Sequence, residues 1–106
     1  MDALQQLTKA QENKFKHEQD LLFKAKVKRN RMLGLWAADL MELEPEDTKK
    51  YADEFVLLHL KDTGREQLYN KLLNDFNHAG IHKSDHRIER KIHDCMVRAV
   101  YELNTE

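Results

Sequence analysis

The sequence holds little that could cross-link, kink or span. It has one cysteine, one proline and three glycines in 106 residues. A single thiol makes no internal disulfide and no zinc knuckle by itself, which suits a reducing cytoplasm. A β-sandwich or barrel would need more turn residues than these. No window approaches the roughly 20 apolar residues of a membrane span, and the opening Met1-Asp2-Ala3 lacks the basic and apolar regions of a signal peptide. Neither charge is in large excess: 18 Lys and Arg face 19 Asp and Glu, for a formal net charge of -1. A uniformly basic nucleic-acid binder is therefore not expected. Catalytic signatures are scarce as well. There is no Gly-rich phosphate loop, and no pair of carboxylates is spaced for general acid and base work. The reading is of a protein that is not an enzyme and has no catalytic residues.

What is present is charge and helical periodicity. Charged residues make up 35% of the chain and hydrophobic residues 41%, the composition of a charge-laced helical domain. A chain of this length makes one domain and buries roughly two-thirds of its unfolded surface. The charge is unevenly spread. Residues 1–31 carry eight bases (Lys9, Lys14, Lys16, Lys24, Lys26, Lys28, Arg29, Arg31) against four acids (Asp2, Glu12, Glu18, Asp20). Residues 32–64 carry three bases against eight acids, and residues 65–106 carry seven of each. This divides the chain into a basic N-terminal arm, 1–31, and an acidic to neutral body, 32–106.

The punctuation falls at Pro45, Gly64 and Gly80, and between these marks the apolar residues recur at helical spacing, which predicts four helices. In the last, Ile88, Ile92, Cys95, Met96, Ala99 and Leu103 fall within an arc of about 100°, with Ser84 placed to cap it and Asp85 in its first turn. The third runs from about Arg65 to Ala79, turns Leu68, Leu72, Phe76 and Ala79 inward, and ends at Gly80. The second starts near Pro45, followed by Glu46 and Asp47, with Tyr51, Phe55 and Leu58 as its stripe. Val56, Leu57 and Leu60 lie on its other sides, so that helix is either central or exposes a second apolar surface.

The first helix carries most of the information. From about Thr8 to Met41 it would be about 50 Å long, far longer than the others. Leu4, Phe15, Leu22, Leu33 and Leu40 share one stripe, but Lys26 and Arg29 occupy its centre between Leu22 and Leu33, and burying those cations without partners is costly. The expectation is a packed segment from about Met32 to Met41, anchored by Trp36, behind an arm that the body cannot cover. The arm has helix formers and few apolar residues, so on its own it is marginal. It is expected to fray, and to order when a partner covers its stripe.

Several constellations invite chemistry and have plainer readings. Lys24, Lys26, Lys28, Arg29 and Arg31 could contact phosphates or an acidic protein surface; the plain alternative is a solvated face. No base-reading fold or aromatic platform accompanies them, so nucleic acid is not an expected partner. His82 and His86 have the spacing of two ligands on one helical turn, but Ser84 begins a helix between them and no third ligand is evident, so no metal is expected. Ser84-Asp85-His86 reads as a capping turn, since consecutive helical residues point about 100° apart and cannot relay protons in series. Cys95 sits on the buried stripe of the last helix and reads as an inert thiol. Trp36, Phe55 and Phe76 read as core.

The residues also carry a resemblance. Glu12-Asn13-Lys14-Phe15, Phe23-Lys24-Ala25, Arg29-Asn30-Arg31, Leu33-Gly34-Leu35-Trp36-Ala37-Ala38, and Ser84-Asp85-His86 followed by Ile88, together resemble the zeta-subunit family of alphaproteobacterial F-type ATP synthases, over about Glu12 to Leu103. The resemblance implies an all-α, small four-helix bundle with a long first helix and a projecting, partly disordered basic N-terminal arm. It further implies that the N-terminal segment, here roughly Met1 to Asp20, inhibits ATP hydrolysis by the catalytic head, with the adjoining helix through Arg31 helping to dock it. The expected partners are the head's alpha, beta and gamma subunits. The expected location is the cytoplasm, peripheral to the inner membrane through the synthase and without membrane insertion. No cofactor is expected beyond the weak adenine-nucleotide binding that the resemblance implies, for which no phosphate motif marks a site. Combined with the arm's pattern, this makes Leu4, Leu7, Phe15 and Leu22 an inserting stripe, and Lys14, Lys16, Lys24, Lys28 and Arg29 the charges that steer it to acidic rims. The alternative function is a basic-armed helical adaptor or nucleic-acid-binding module.

Overall fold

Nothing in the sequence stops a helix before Gly34, and nothing does in the structure. The computed structural model describes residues 3–60 and 64–105, apart from the side chains at 7, 8, 11–15, 59 and 60. In it α1 runs unbroken over Ala3–Leu40. It is followed by α2 (Pro45–Leu60), α3 (Arg65–His78) and α4 (Asp85–Asn104), so the fold is all-α with no strand among the described residues. At 38 residues, α1 is about 57 Å long. It sets the longest extent of the molecule, 64 Å against 27 and 25 Å across.

The ends of the helices follow local chemistry. Pro45 opens α2, with Glu46 and Asp47 in the positive first turn. The Ser84 side chain accepts from the Arg87 N–H at the start of α4. After α3, Gly80 takes φ of 72°, and the N–H groups of Ile81 and Gly80 close back on the carbonyls of Phe76 and Asn77 at 2.8 and 3.3 Å, a left-handed C-terminal turn that glycine makes without steric cost. The end of α1 has the same geometry without a glycine. Glu42 stands at φ of 56° while Leu43 N–H reaches Ala38 O at 3.1 Å.

The core forms where α1 lies on α2 and on α4, with α3 packed on α4. Leu33 and Ala37 meet Phe55 of α2, Leu68, Leu72 and Phe76 of α3, and Ile88, Ile92 and Cys95 of α4. Phe55 and Phe76 are buried as expected. Trp36 is half-buried at the core's edge, standing edge-on to Phe76 with ring centroids 5.5 Å apart. On α2, Leu58 packs against the core and Leu57 is exposed, so that helix does present some apolar surface outward; Leu60 lies outside the described side chains.

Two features of α1 depart from the sequence reading. Its packed part begins well before Met32, since Ala25 and Asn30 are 2% and 1% exposed. The approach to α2 is also closer than any side-chain pattern suggests: a Cβ built on Gly34 would lie 2.7 Å from the Ala52 Cα. Glycine in mid-helix costs about 1 kcal/mol against alanine, and here it is required because α2's backbone occupies the space.

A polar cluster ties α2 to α3. The Tyr51 hydroxyl donates to Asp75 Oδ2 at 2.6 Å, and Lys71 Nζ lies 3.0 Å from the same carboxylate and 3.4 Å from Glu54. The ammonium also sits 5.1 Å from the Tyr51 ring centroid, a cation–π distance. Burial first, and then the hydrogen bond to Asp75, push the Tyr51 phenol above its ordinary range.

Two outcomes follow. Gly34→Ala should cost about 1–3 kcal/mol in urea unfolding, because α1 and α2 must separate to admit the methyl group; an unchanged midpoint would contradict the close approach. Tyr51→Phe should cost about 1 kcal/mol near neutrality. Because the folded pKa is raised, the unfolded chain ionises first. The tyrosine's contribution is then fully present below about pH 10 and lost as pH rises toward the folded value, so urea midpoints of wild type and variant should converge in alkali.

Candidate functional site

The expected partner-binding residues all lie on α1, and the structure sorts them into two groups. Leu4, Lys16 and Lys24 are exposed, and Leu22 is half-exposed at 47%. Leu7, Lys14 and Phe15 lie outside the described side chains. Lys28 and Arg29, by contrast, are partly buried. Lys28 Nζ pairs with Glu102 of α4 at 3.3 Å. The Arg29 Nε donates to the Asn30 side-chain oxygen at 3.0 Å. Burial, and then the like charge of Arg65, lower the Arg29 guanidinium's pKa from its ordinary value.

The same inward turn continues along the basic run. Arg31 pairs with Asp53 of α2 at 3.2 Å, while the Asn30 amide nitrogen donates to the Phe55 carbonyl of α2 at 3.0 Å. Lys28 and Arg31 thus reach carboxylates of the body by extending their aliphatic stems. On the far side, Glu102 accepts from Arg98 and then from Lys28, and both hold its carboxyl below the usual range.

Where the exposed and the engaged halves of α1 meet, a groove of about 240 Å³ is lined by Leu21, Leu22, Ala25, Val100, Leu103 and Asn104. Beside it Val97 and Tyr101 are exposed, the latter at 68%, as is Phe23 on α1. The sequence reading took only the inner arc of α4 and passed over this outer one. The signal was present in the spacing of Val97, Val100 and Tyr101, three and four residues apart on one helical face.

The other constellations resolve into structure. His82 lies in the link between α3 and α4 and His86 in the first turn of α4, so they do not share a helical turn. Ser84 caps, and Asp85 accepts a hydrogen bond from the Tyr69 hydroxyl, so neither is aligned with His86 as a relay. Among the described residues no three His, Cys, Asp or Glu side chains are grouped to hold a metal ion. Cys95 is 6% exposed, and burial pushes its thiol up. An open cleft of about 440 Å³ is lined by Trp36, His86, Arg87, Arg90, Lys91 and Asp94, with Lys91 Nζ 5.5 Å from the indole centroid. It pairs an aromatic ring with cations, but Lys91 already covers the ring face that a planar ligand would use. No helix among the described residues is long and apolar enough to cross a membrane.

The family model described as ATPase inhibitor subunit zeta matches residues 1–102. The chain belongs to this family. No curated protein and no solved structure matches it. Membership gives this chain an ATPase-inhibitory role, regulatory and not catalytic in kind, and an ATP synthase as its partner. The match begins at residue 1, so it takes in Met1 to Gln11, a stretch upstream of the first block on which the resemblance rested.

The buried thiol gives a direct check. Cys95 in the folded protein should react with a thiol reagent at least about tenfold more slowly than in the urea-unfolded chain, as a raised pKa and lost access require. Equal rates would contradict its placement.

Proposed function

We propose that this chain inhibits ATP hydrolysis by the catalytic head of the F-type ATP synthase by inserting residues 1–20 as a helix at an interface between a catalytic subunit and its neighbours. The observation that carries this reading is the exposure of α1 upstream of Leu21, where the described side chains, Leu4 and Lys16 among them, are exposed, while the inward face of the same helix is buried from Ala25 onward. A helix with one covered end and one uncovered end is suited to wedging. The covered end supplies direction, and the stripe of Leu4, Leu7, Phe15 and Leu22 expected from the sequence supplies the apolar face that a cleft would accept. A wedge there blocks the closure that each catalytic site makes during turnover.

Division of the chain into an arm, 1–31, and a body, 32–106, is on this reading functional. The stretch from Leu21 to Arg31 belongs to both, docking the arm while touching the body. Lys14, Lys16 and Lys24 steer the arm toward acidic rims of the alpha, beta and gamma subunits, and Lys28 and Arg29 hold its root. The four helices act as a bundle that gives bulk and anchorage. The arm is marginal by itself and gains full order on insertion. The protein works without catalysis of its own, in the cytoplasm, peripheral to the inner membrane through the synthase. The basic-armed nucleic-acid reading draws no support from the geometry, because Lys28 and Arg31 pair with carboxylates of the body and Arg29 bonds Asn30 of its own helix.

Removing residues 1–20 should leave the helical content and cooperative melting of the remainder nearly unchanged and abolish inhibition of ATP hydrolysis by the purified synthase. Replacing Phe15 and Leu22 by Asp should weaken inhibition without unfolding the body. Retained inhibition in the truncated chain would refute the arm as effector, and collapse of the Asp variant would make the stripe core.

A further inference from the structure

Asn30 is the one buried polar side chain in the core of the described residues, 1% exposed. Beside the larger Leu33 and Phe55, the α1–α2 seam near it carries small buried residues: Gly34, Ala37 and Ala38 on α1 and Ala52 on α2. Small residues allow two backbones to approach closely, but they carry little shape to define how far one helix has slid along the other. A shift of one turn would place Ala38 opposite Ala52 where Gly34 now lies, and the helices would have to part to admit its methyl group, an overpacking cost that repacking offsets only in part.

The Asn30 carboxamide has no such latitude. Its nitrogen donates to the Phe55 carbonyl at 3.0 Å and its oxygen accepts from Arg29 Nε at 3.0 Å. Among the described residues no buried side-chain nitrogen or oxygen is left without a partner. Sliding α1 by a turn strands this amide away from Phe55, and an unpaired buried amide costs its full desolvation penalty. A single buried Asn fixes the register of paired helices elsewhere by the same means. The flanking ion pairs, Arg31 with Asp53 and Lys28 with Glu102, are too exposed to do this work alone.

We infer that Asn30 is a positioning residue: by its bond to the Phe55 carbonyl it pins α1 in one register on α2, and so sets how far residues 3–24 reach beyond the body. One turn of slip changes that reach by about 5.4 Å, enough to move every side chain of the arm out of a cleft fitted to it. The link from reach to inhibition rests on the insertion reading above; the register pin does not.

The test uses the full chain with spin labels on Lys24→Cys and Glu46→Cys, both positions exposed, Cys95 remaining buried and unlabelled. Wild-type Asn30 should give one narrow distance. Asn30→Leu, similar in size and unable to bond Phe55, should give a distance shifted or split by about one helical turn, 5.4 Å, with helical content kept, and should weaken inhibition of the synthase by about tenfold or more. Asn30→Ala is measured beside it. An unchanged narrow distance in a folded variant overturns the inference. Unfolding of both variants also overturns it, since Asn30 would then supply stability and not choice of register. A shifted distance with undiminished inhibition upholds the pin and counts against the arm as effector.

Discussion

Gly34 lets α1 lie against the backbone of α2 at Ala52, and most of the molecule is arranged around that contact. Because the two helices meet so closely, Leu33 and Ala37 reach the interior shared with α3 and α4, and Asn30 comes within a hydrogen bond of a carbonyl in the middle of α2. A larger residue at Gly34 would hold the helices apart and leave both the core and the Asn30 amide short of their partners. α4 then closes the other flank of α1 along Ala25 to Leu33, which is why the buried stretch of α1 is so much longer than its run of large apolar side chains.

That arrangement gives one helix two environments. Downstream of about Ala25 it is covered on two sides and its cations are turned to Asp53, Glu102 and Asn30. Upstream of Leu21 the helix continues on its own periodicity, and its described side chains, Leu4 and Lys16 among them, are exposed. An inhibitor that acts by insertion needs this combination. The inserted segment must be free of intramolecular contacts that would compete with the partner, yet it must be attached to something rigid enough that binding at its root and binding at its tip reinforce one another.

Much of the fold was legible because it is local. Ser84, Pro45 and Gly80 mark helix ends by chemistry that acts within a few residues, and the inner face of α4 shows as a plain 3.6-residue period. What was not legible depends on absence or on reach. Gly34 contributes through the side chain it lacks, which leaves no mark in a periodicity. Asn30 counts as polar in any pattern, so a stripe reading ends the packed segment after it, although its amide is satisfied by a backbone group 25 positions away. Lys26 and Arg29 were read as a barrier to burial, yet both are partly buried; their long stems let the charged ends reach the margin. On the site, the exposed placement of Leu4, Lys16, Leu22 and Lys24 agrees with the pattern. The outer face of α4 at Val97, Val100 and Tyr101 went unread because the inner face of that helix already explained it.

The central claim is that α1 is stabilised by its neighbours over one half and by little but its own hydrogen bonds over the other. Amide hydrogen exchange in the isolated protein measures this directly. Exchange should be slow across residues 25–40, comparable to α4, and faster by orders of magnitude across residues 3–20, with the change falling near Leu21. Protection of residues 3–20 equal to that of α4 would mean that the N-terminal half of α1 is held by its own molecule, and the account of it as a segment left open for the synthase would be wrong.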